Sequence, residues 1–250
     1  MRVEFSGLLV TLLLGIFILI GSLMAFLVKK RQKVIDFSLG LAFSVIVMLI
    51  IFDIIPEIID NLSISYIFIF IIGSLLGYQL LKTLDSFIPN HENDKMTNNE
   101  LKNNLVHIGI VSSIALIMHN FIEGMTVYSV VISDVSLGLL IGIGVGLHNL
   151  AFGMVIVTTF YQANQNRKKI LLLIATFALS TLFGGLFMFI LGIKSLNGLV
   201  LGLLLSITLG MLLYIIFNEL YERVKNTKNK ESRNLGLLIG IIIFLISVLI

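Results

Sequence analysis

Met118-His119-Asn120-Phe121-Ile122-Glu123-Gly124 lies inside an apolar run that extends from about Leu105 to Val131. A run of that length crosses a bilayer as a helix, because a hydrocarbon core of about 30 Å needs about 20 residues at about 1.5 Å each. An imidazole, an amide and a carboxylate near its middle are expensive; a charged group there costs roughly 2.5–3.5 kcal/mol on insertion scales. His119 and Glu123 are four residues apart and project from one helical face. Twenty-nine residues further on the chain nearly repeats itself as His148-Asn149-Leu150-Ala151-Phe152-Gly153-Met154, with Phe152 where the first copy has Glu123.

The rest of the sequence supports a membrane setting for both copies. Of 250 residues, 58% are hydrophobic and only 12% charged, with a mean hydropathy of +1.07, which leaves too little charge to cover a soluble domain. Apolar runs follow one another at roughly 6–28, 36–60, 64–88, 105–131, 135–161, 169–193, 196–222 and 234–250. The pattern predicts an all-α polytopic membrane protein with eight transmembrane helices, forming a single transmembrane domain over 1–250. The one long polar connection, 89–104, reads as a cytoplasmic loop. The first run exceeds a signal-peptide core, lacks a small-x-small cleavage site and ends in Lys29-Lys30-Arg31, so it reads as a retained span. Cysteine is absent, which excludes disulfides and thiolate metal ligands.

The net charge of +3 is a matter of topology, and no nucleic-acid surface is read from it. Lys29, Lys30, Arg31 and Lys33 lie between spans 1 and 2, and Lys82, Lys95 and Lys102 between spans 3 and 4. Arg167, Lys168 and Lys169 lie between spans 5 and 6, and Arg223, Lys225, Lys228, Lys230 and Arg233 between spans 7 and 8. Only Arg2 and Lys194 fall on the other side. The positive-inside rule puts the four basic connections in the cytoplasm and both termini outside. Tyr66 and Tyr128 fall near outer helix ends and Tyr161 and Tyr221 near inner ends, as interfacial aromatics do. The pairs Gly73/Gly77, Gly142/Gly146, Gly198/Gly202 and Gly236/Gly240 allow close backbone approach, within one chain or between the chains of a homodimer.

Ile50-Ile51-Phe52-Asp53-Ile54-Ile55-Pro56-Glu57 in span 2 aligns with Ile215-Ile216-Phe217-Asn218-Glu219-Leu220-Tyr221-Glu222 in span 7. Span 2 runs outward and span 7 inward, so the repeat is inverted, with helices 1–3 and 6–8 arranged around helices 4–5. Inverted repeats around a mid-membrane site are a recurrent design of secondary transporters. Antiparallel spans 4 and 5 would then bring together His119, Asn120, Glu123, His148 and Asn149 at half depth, with Met48 of span 2 level with them. Imidazole and carboxylate suit Zn²⁺ and related divalent ions, and a thioether adds a softer contact. Asp53 and Glu57 near the outer end of span 2 are either solvated interfacial charges or an entry funnel; Glu219 and Glu222 pose the same alternatives at the inner end of span 7. Met48 is otherwise core filler. His91 reads as a solvated loop histidine and His107 as structural. An intramembrane hydrolase lacks support: no His-Glu-x-x-His occurs, and Glu123 cannot coordinate metal and serve as general base together.

His119-Asn120-Phe121-Ile122-Glu123-Gly124 resembles the His-Asn-x-Pro-Glu-Gly signature of the fourth helix in ZIP-family (ZRT/IRT-like) divalent-metal transporters, and His148-Asn149-Leu150-Ala151-Phe152-Gly153 resembles its partner in the fifth. The topology, the Met48…Pro56-Glu57 pattern and Asn218-Glu219 extend the resemblance over essentially the whole chain, nearest to the bacterial ZupT-like branch. The resemblance implies a two-metal centre, with His119, Glu123, His148 and Met48 on one site and Asn120 and Asn149 on its neighbour. It implies zinc as cargo, or iron, manganese or cadmium, taken through a bacterial plasma membrane into the cytoplasm by alternating access, with no cofactor. The alternative is a ZIP-like protein that has lost transport and serves as a metal sensor or partner subunit.

The departures from the family pattern are specific. Its helix 5 and helix 6 glutamates would fall at Phe152 and Thr181, and its motif prolines at Ile122 and Ala151. One carboxylate, Glu123, remains. Unit charges 4 Å apart interact by about 4 kcal/mol at an effective dielectric of about 20, so two dications repel by about 16 kcal/mol. The expectation is at most one tightly held ion, at His119, Glu123 and His148, with the second position weak or lost.

Overall fold

The computed structural model describes residues 2–27, 32–62, 66–87, 98–162 and 165–249. Span 1 is α1 (Arg2–Leu27). Span 2 consists of α2 (Gln32–Leu49), a π-helical segment (Ile50–Ile54) and α3 (Ile55–Asn61). Spans 3 to 6 are α4 (Ile67–Phe87), α5 (Asn98–Ser133), α6 (Val135–Gln162) and α7 (Arg167–Ile190). Span 7 consists of α8 (Gly198–Tyr214), a second π segment (Ile215–Leu220) and α9 (Tyr221–Lys225); span 8 is α10 (Lys230–Leu249). Every regular element among the described residues is helical, and eight helices are long and apolar enough to cross a membrane. The outer faces of spans 3 and 8 carry exposed Ile71, Ile72, Leu75, Leu238, Ile242 and Leu245, an apolar belt suited to lipid.

Within the expected loop at 89–104, the described residues are helical. Residues 98–104 belong to α5, which begins at Asn98 and so carries the fourth helix beyond the bilayer-length run; 89–97, with His91 and Lys95, lie outside the described residues, as do Lys29, Lys30 and Arg31. Tyr128 is also no interfacial residue: it is buried against Gly7 of span 1.

The packing follows the inverted repeat. Exchanging span 1 with 6, 2 with 7, 3 with 8 and 4 with 5 maps each major pairing onto another. Span 1 packs on 5 as 6 packs on 4, and span 2 packs on 8 as 7 packs on 3, with pairs 1–6 and 4–5 on the axis. Spans 1, 4, 5 and 6 thus form one bundle, flanked by the pairs 2–8 and 3–7. Glycines permit this closeness: a side chain at Gly77 would meet the backbone of Ile207, and one at Gly236 the backbone of Phe37. Gly142 and Gly146 face Val10 and Phe17, and Gly198 and Gly202 face Asn61 and Leu62, so the four glycine pairs have neighbours within one chain.

Both copies of the repeated octapeptide contain a π segment. In span 2, Pro56 has no N–H to return to the preceding turn, and the helix widens ahead of it so that Ile55 N–H reaches Ile50 O, five residues back. Span 7 has no proline there, yet Tyr221 N–H donates to Ile216 O in the same way. The Asn218 side-chain amide donates to Tyr214 O at 3.0 Å and satisfies a carbonyl of the widened turn.

Candidate metal centre

Spans 4 and 5 are joined by a single residue, Asp134, whose carboxylate accepts from Ser136 N–H at 2.8 Å and Leu137 N–H at 3.0 Å and caps α6. His119 lies 14 residues before Ser133 and His148 lies 13 after Val135. At about 1.5 Å per residue both histidines are about 20 Å from the turn, and so at one depth. Their ring centroids are 6.3 Å apart. Both helices run unbroken through the motifs, in keeping with Ile122 and Ala151 at the proline positions.

Glu123 is the hub. Its Oε1 lies 2.9 Å from His148 Nε2, hydrogen-bond distance for an imidazole N–H donating to a carboxylate, and 3.6 Å from His119 Nε2. Its Oε2 accepts from Asn149 Nδ2 at 3.0 Å. His119, Glu123 and His148 each offer a ligand atom within 4.8 Å of the others. His119 Nε2, Asn149 Oδ1 and both amide atoms of Asn120 are buried without a hydrogen-bond partner. Buried polar atoms are seldom left so, and an imidazole nitrogen beside a carboxylate and a second imidazole suits a divalent cation. Met48 lies elsewhere: it is half-buried against the hydrophobic core and does not line the cavity that reaches the centre.

Phe152 is fully buried, with its ring edge-on to His119 at 6.2 Å and 5.8 Å from His148. Thr181 is fully buried too, and its hydroxyl donates to Thr11 O of span 1 at 2.9 Å. The two positions that differ from the family pattern thus hold an aromatic wall and a hydroxyl already engaged. Asn120 and Asn149 bring neutral amide groups and no further charge.

A cavity of about 480 Å³ leads to the centre, lined by Asp53, Glu57 and Asp60 of span 2, His119 and Glu123 of span 4, and His148 of span 5 among others. It involves the late part of spans 2, 4 and 8 and the early part of span 5, which lie on the side opposite the four basic connections; we call this the outer side. Phe244 of span 8 stacks on His148 at 6.4 Å and an interplanar angle of 25°, and also packs on Phe52. Nothing in the sequence distinguishes Phe244 from other apolar residues of that span.

A second polar cluster lies on the inner side. Asp85 of span 3, His107 of span 4 and Glu219 of span 7 gather there, with Asp85 paired to His107 and accepting from the Tyr214 hydroxyl at 2.6 Å. Asn218 donates to the Tyr78 hydroxyl at 3.0 Å. His107 therefore has a structural partner, Asp85, and Glu219 is buried. Asp85 carries no motif; its only sequence signal is an acid near the end of an apolar run.

Fold and centre define an eight-span, inverted-repeat membrane protein with a buried His/Glu centre open to one side. The family described as ZIP Zinc transporter matches residues 83–247, and the chain belongs to that family. It is 25% identical over 259 residues to the zinc transporter ZupT of Streptococcus mutans, covering 98% of this chain and 97% of that protein. It is 29% identical to the ZupT of Chlorobium luteolum (98% and 97% covered) and 27% identical to that of Oceanobacillus iheyensis (97% and 96% covered).

Proposed function

We propose that this chain carries a divalent cation, zinc foremost, from outside into the cytoplasm through His119, Glu123 and His148. The observation that carries the reading is the meeting of three donors from two adjacent spans at the end of a cavity open to the outer side. Zn²⁺ accepts nitrogen and oxygen donors in tetrahedral sets, and a divalent ion offsets the cost of the Glu123 charge at mid-membrane. Both termini, on this reading, face outside a bacterial plasma membrane. Iron, manganese and cadmium are competing cargoes for the same donors.

One ion is held at a time. Asn120 and Asn149 would face a second dication with no carboxylate beyond Glu123, and Phe152 walls the place of the bridge. Water satisfies such amides at far lower cost than a second double charge. Alternating access follows from movement between the bundle of spans 1, 4, 5 and 6 and the flanking pairs 2–8 and 3–7. The boundary falls there because spans 1 and 6 pack closely on spans 5 and 4.

The residues at Phe152 and Thr181 support a second reading, a metal-binding subunit without transport. Reconstituted liposomes containing a zinc-sensitive dye separate the two. Transport predicts zinc-dependent signal that disappears in His119→Ala and Glu123→Ala; absence of flux for Zn²⁺, Fe²⁺, Mn²⁺ and Cd²⁺ in the unmodified protein overturns it.

A further inference from the structure

We propose that Asp53 supplies the second carboxylate to the ion held by His119, Glu123 and His148 while the centre is open to the outer side. This rests on the function proposed above and names a ligand that the His-Asn motifs do not contain. Four observations converge on it.

The first is location. Asp53 lines the same cavity as the two histidines and Glu123; its carboxylate lies outside the cluster those three form and joins them by swinging inward. The second is backbone register. Asp53 sits in the π segment Ile50–Ile54, where Ile50 and Ile54 remain buried while Asp53 faces the cavity. One extra residue in the turn changes which side chain points inward, and π-bulges recur at functional sites for that reason. The third is an open valence. His119 is 3% exposed, lines the cavity and has an Nε2 without a hydrogen-bond partner. Asp53 is exposed, so its carboxylate is accessible from the cavity.

The fourth is charge. A dication with two neutral imidazoles and Glu123 alone leaves one net positive charge at mid-membrane. Asp53 brings the sum to zero and the protein donors to four, the number that Zn²⁺ takes in closed tetrahedral sites. The carboxylate absent at Phe152 is thereby replaced from a different helix. Because Asp53 belongs to the 2–8 pair and the other ligands to the central bundle, the fourth bond is one that movement between the two units breaks. Capture would then be tight on the outer side and weaker once the units move apart.

The chain contains no cysteine, which permits a direct test. In the full-length Asp53→Cys protein loaded with Co²⁺, a thiolate-to-cobalt charge-transfer band is expected, and it should vanish when His119→Ala is added. In parallel, Asp53→Asn should weaken Zn²⁺ binding at least about tenfold, with Asp60→Asn, two turns further out on the same cavity wall, within about twofold of the unmodified protein. A missing cobalt band overturns the assignment whatever the Asn variant does, and so does unchanged zinc affinity in Asp53→Asn. If the unmodified protein binds zinc and loses it in His119→Ala while Asp53 fails both tests, the proposed function stands without this ligand. If the unmodified protein binds no divalent metal, both readings fall.

Discussion

The two π segments come from one repeated octapeptide, yet they look onto different surroundings. In span 2 the widened turn presents Asp53 to an open cavity that reaches His119, Glu123 and His148. In span 7 the equivalent turn adjoins a packed polar cluster in which Tyr214 and His107 hold Asp85, Tyr78 receives Asn218, and Glu219 is buried. Related backbones in unlike environments are what an inverted-repeat transporter needs when it faces one way. On the function proposed above, the outer half receives the ion and the hydrogen-bonded cluster closes the inner half.

Contrasting substitutions in the two halves give the largest expected effect. His148→Ala should lower zinc affinity about 100-fold, as loss of a direct ligand, whereas Asp85→Asn should leave affinity measured from the outer side within about threefold. Competition titration against a zinc-chelating dye distinguishes them, and equal losses would erase the distinction between centre and inner cluster. Next in size, Phe152→Glu should raise bound metal from one ion per chain to two, measured by equilibrium dialysis, because it restores the missing bridging charge. Unchanged stoichiometry would remove Phe152 as the reason for a single site.

Tyr214→Phe removes one hydroxyl donor to Asp85, a hydrogen bond worth about 1 kcal/mol, and should shift the outward/inward balance about fivefold toward inward. Labelling of a Ser112→Cys reporter, buried on the inner half of span 4, by a thiol reagent added on the side of the basic connections reads that shift. The smallest effect is expected from Pro56→Ala. Span 7 forms its π segment without a proline, so the span 2 segment should persist and zinc flux should stay within about twofold. A larger loss would show that Pro56 itself holds Asp53 in place.

These contrasts also explain what the sequence disclosed. The eight spans were legible because the bilayer imposes a length and an apolar composition on each. His119 and His148 stood out because polar groups are rare at mid-span, and the short 4–5 connection fixes their depth without any tertiary information. Three features were harder. Asp53 was visible as an acid but not as part of the cavity wall facing the histidines, since the π register follows from three-dimensional packing as much as from Pro56. Asp85 and His107 are 22 residues apart with no periodicity to link them, and only the fold of spans 3 and 4 brings them together. Met48 sits level with the histidines on an ideal helix, but depth does not set which face a side chain occupies; it packs half-buried against the hydrophobic core.

Anomalous scattering at the zinc edge, from crystals of this chain grown with zinc, tests the single His/Glu centre most directly. A single mid-membrane peak coordinated by His119, Glu123 and His148 is expected, with none between Asn120 and Asn149. Two peaks at that depth, or one that leaves the two histidines and Glu123 uncoordinated, would contradict it.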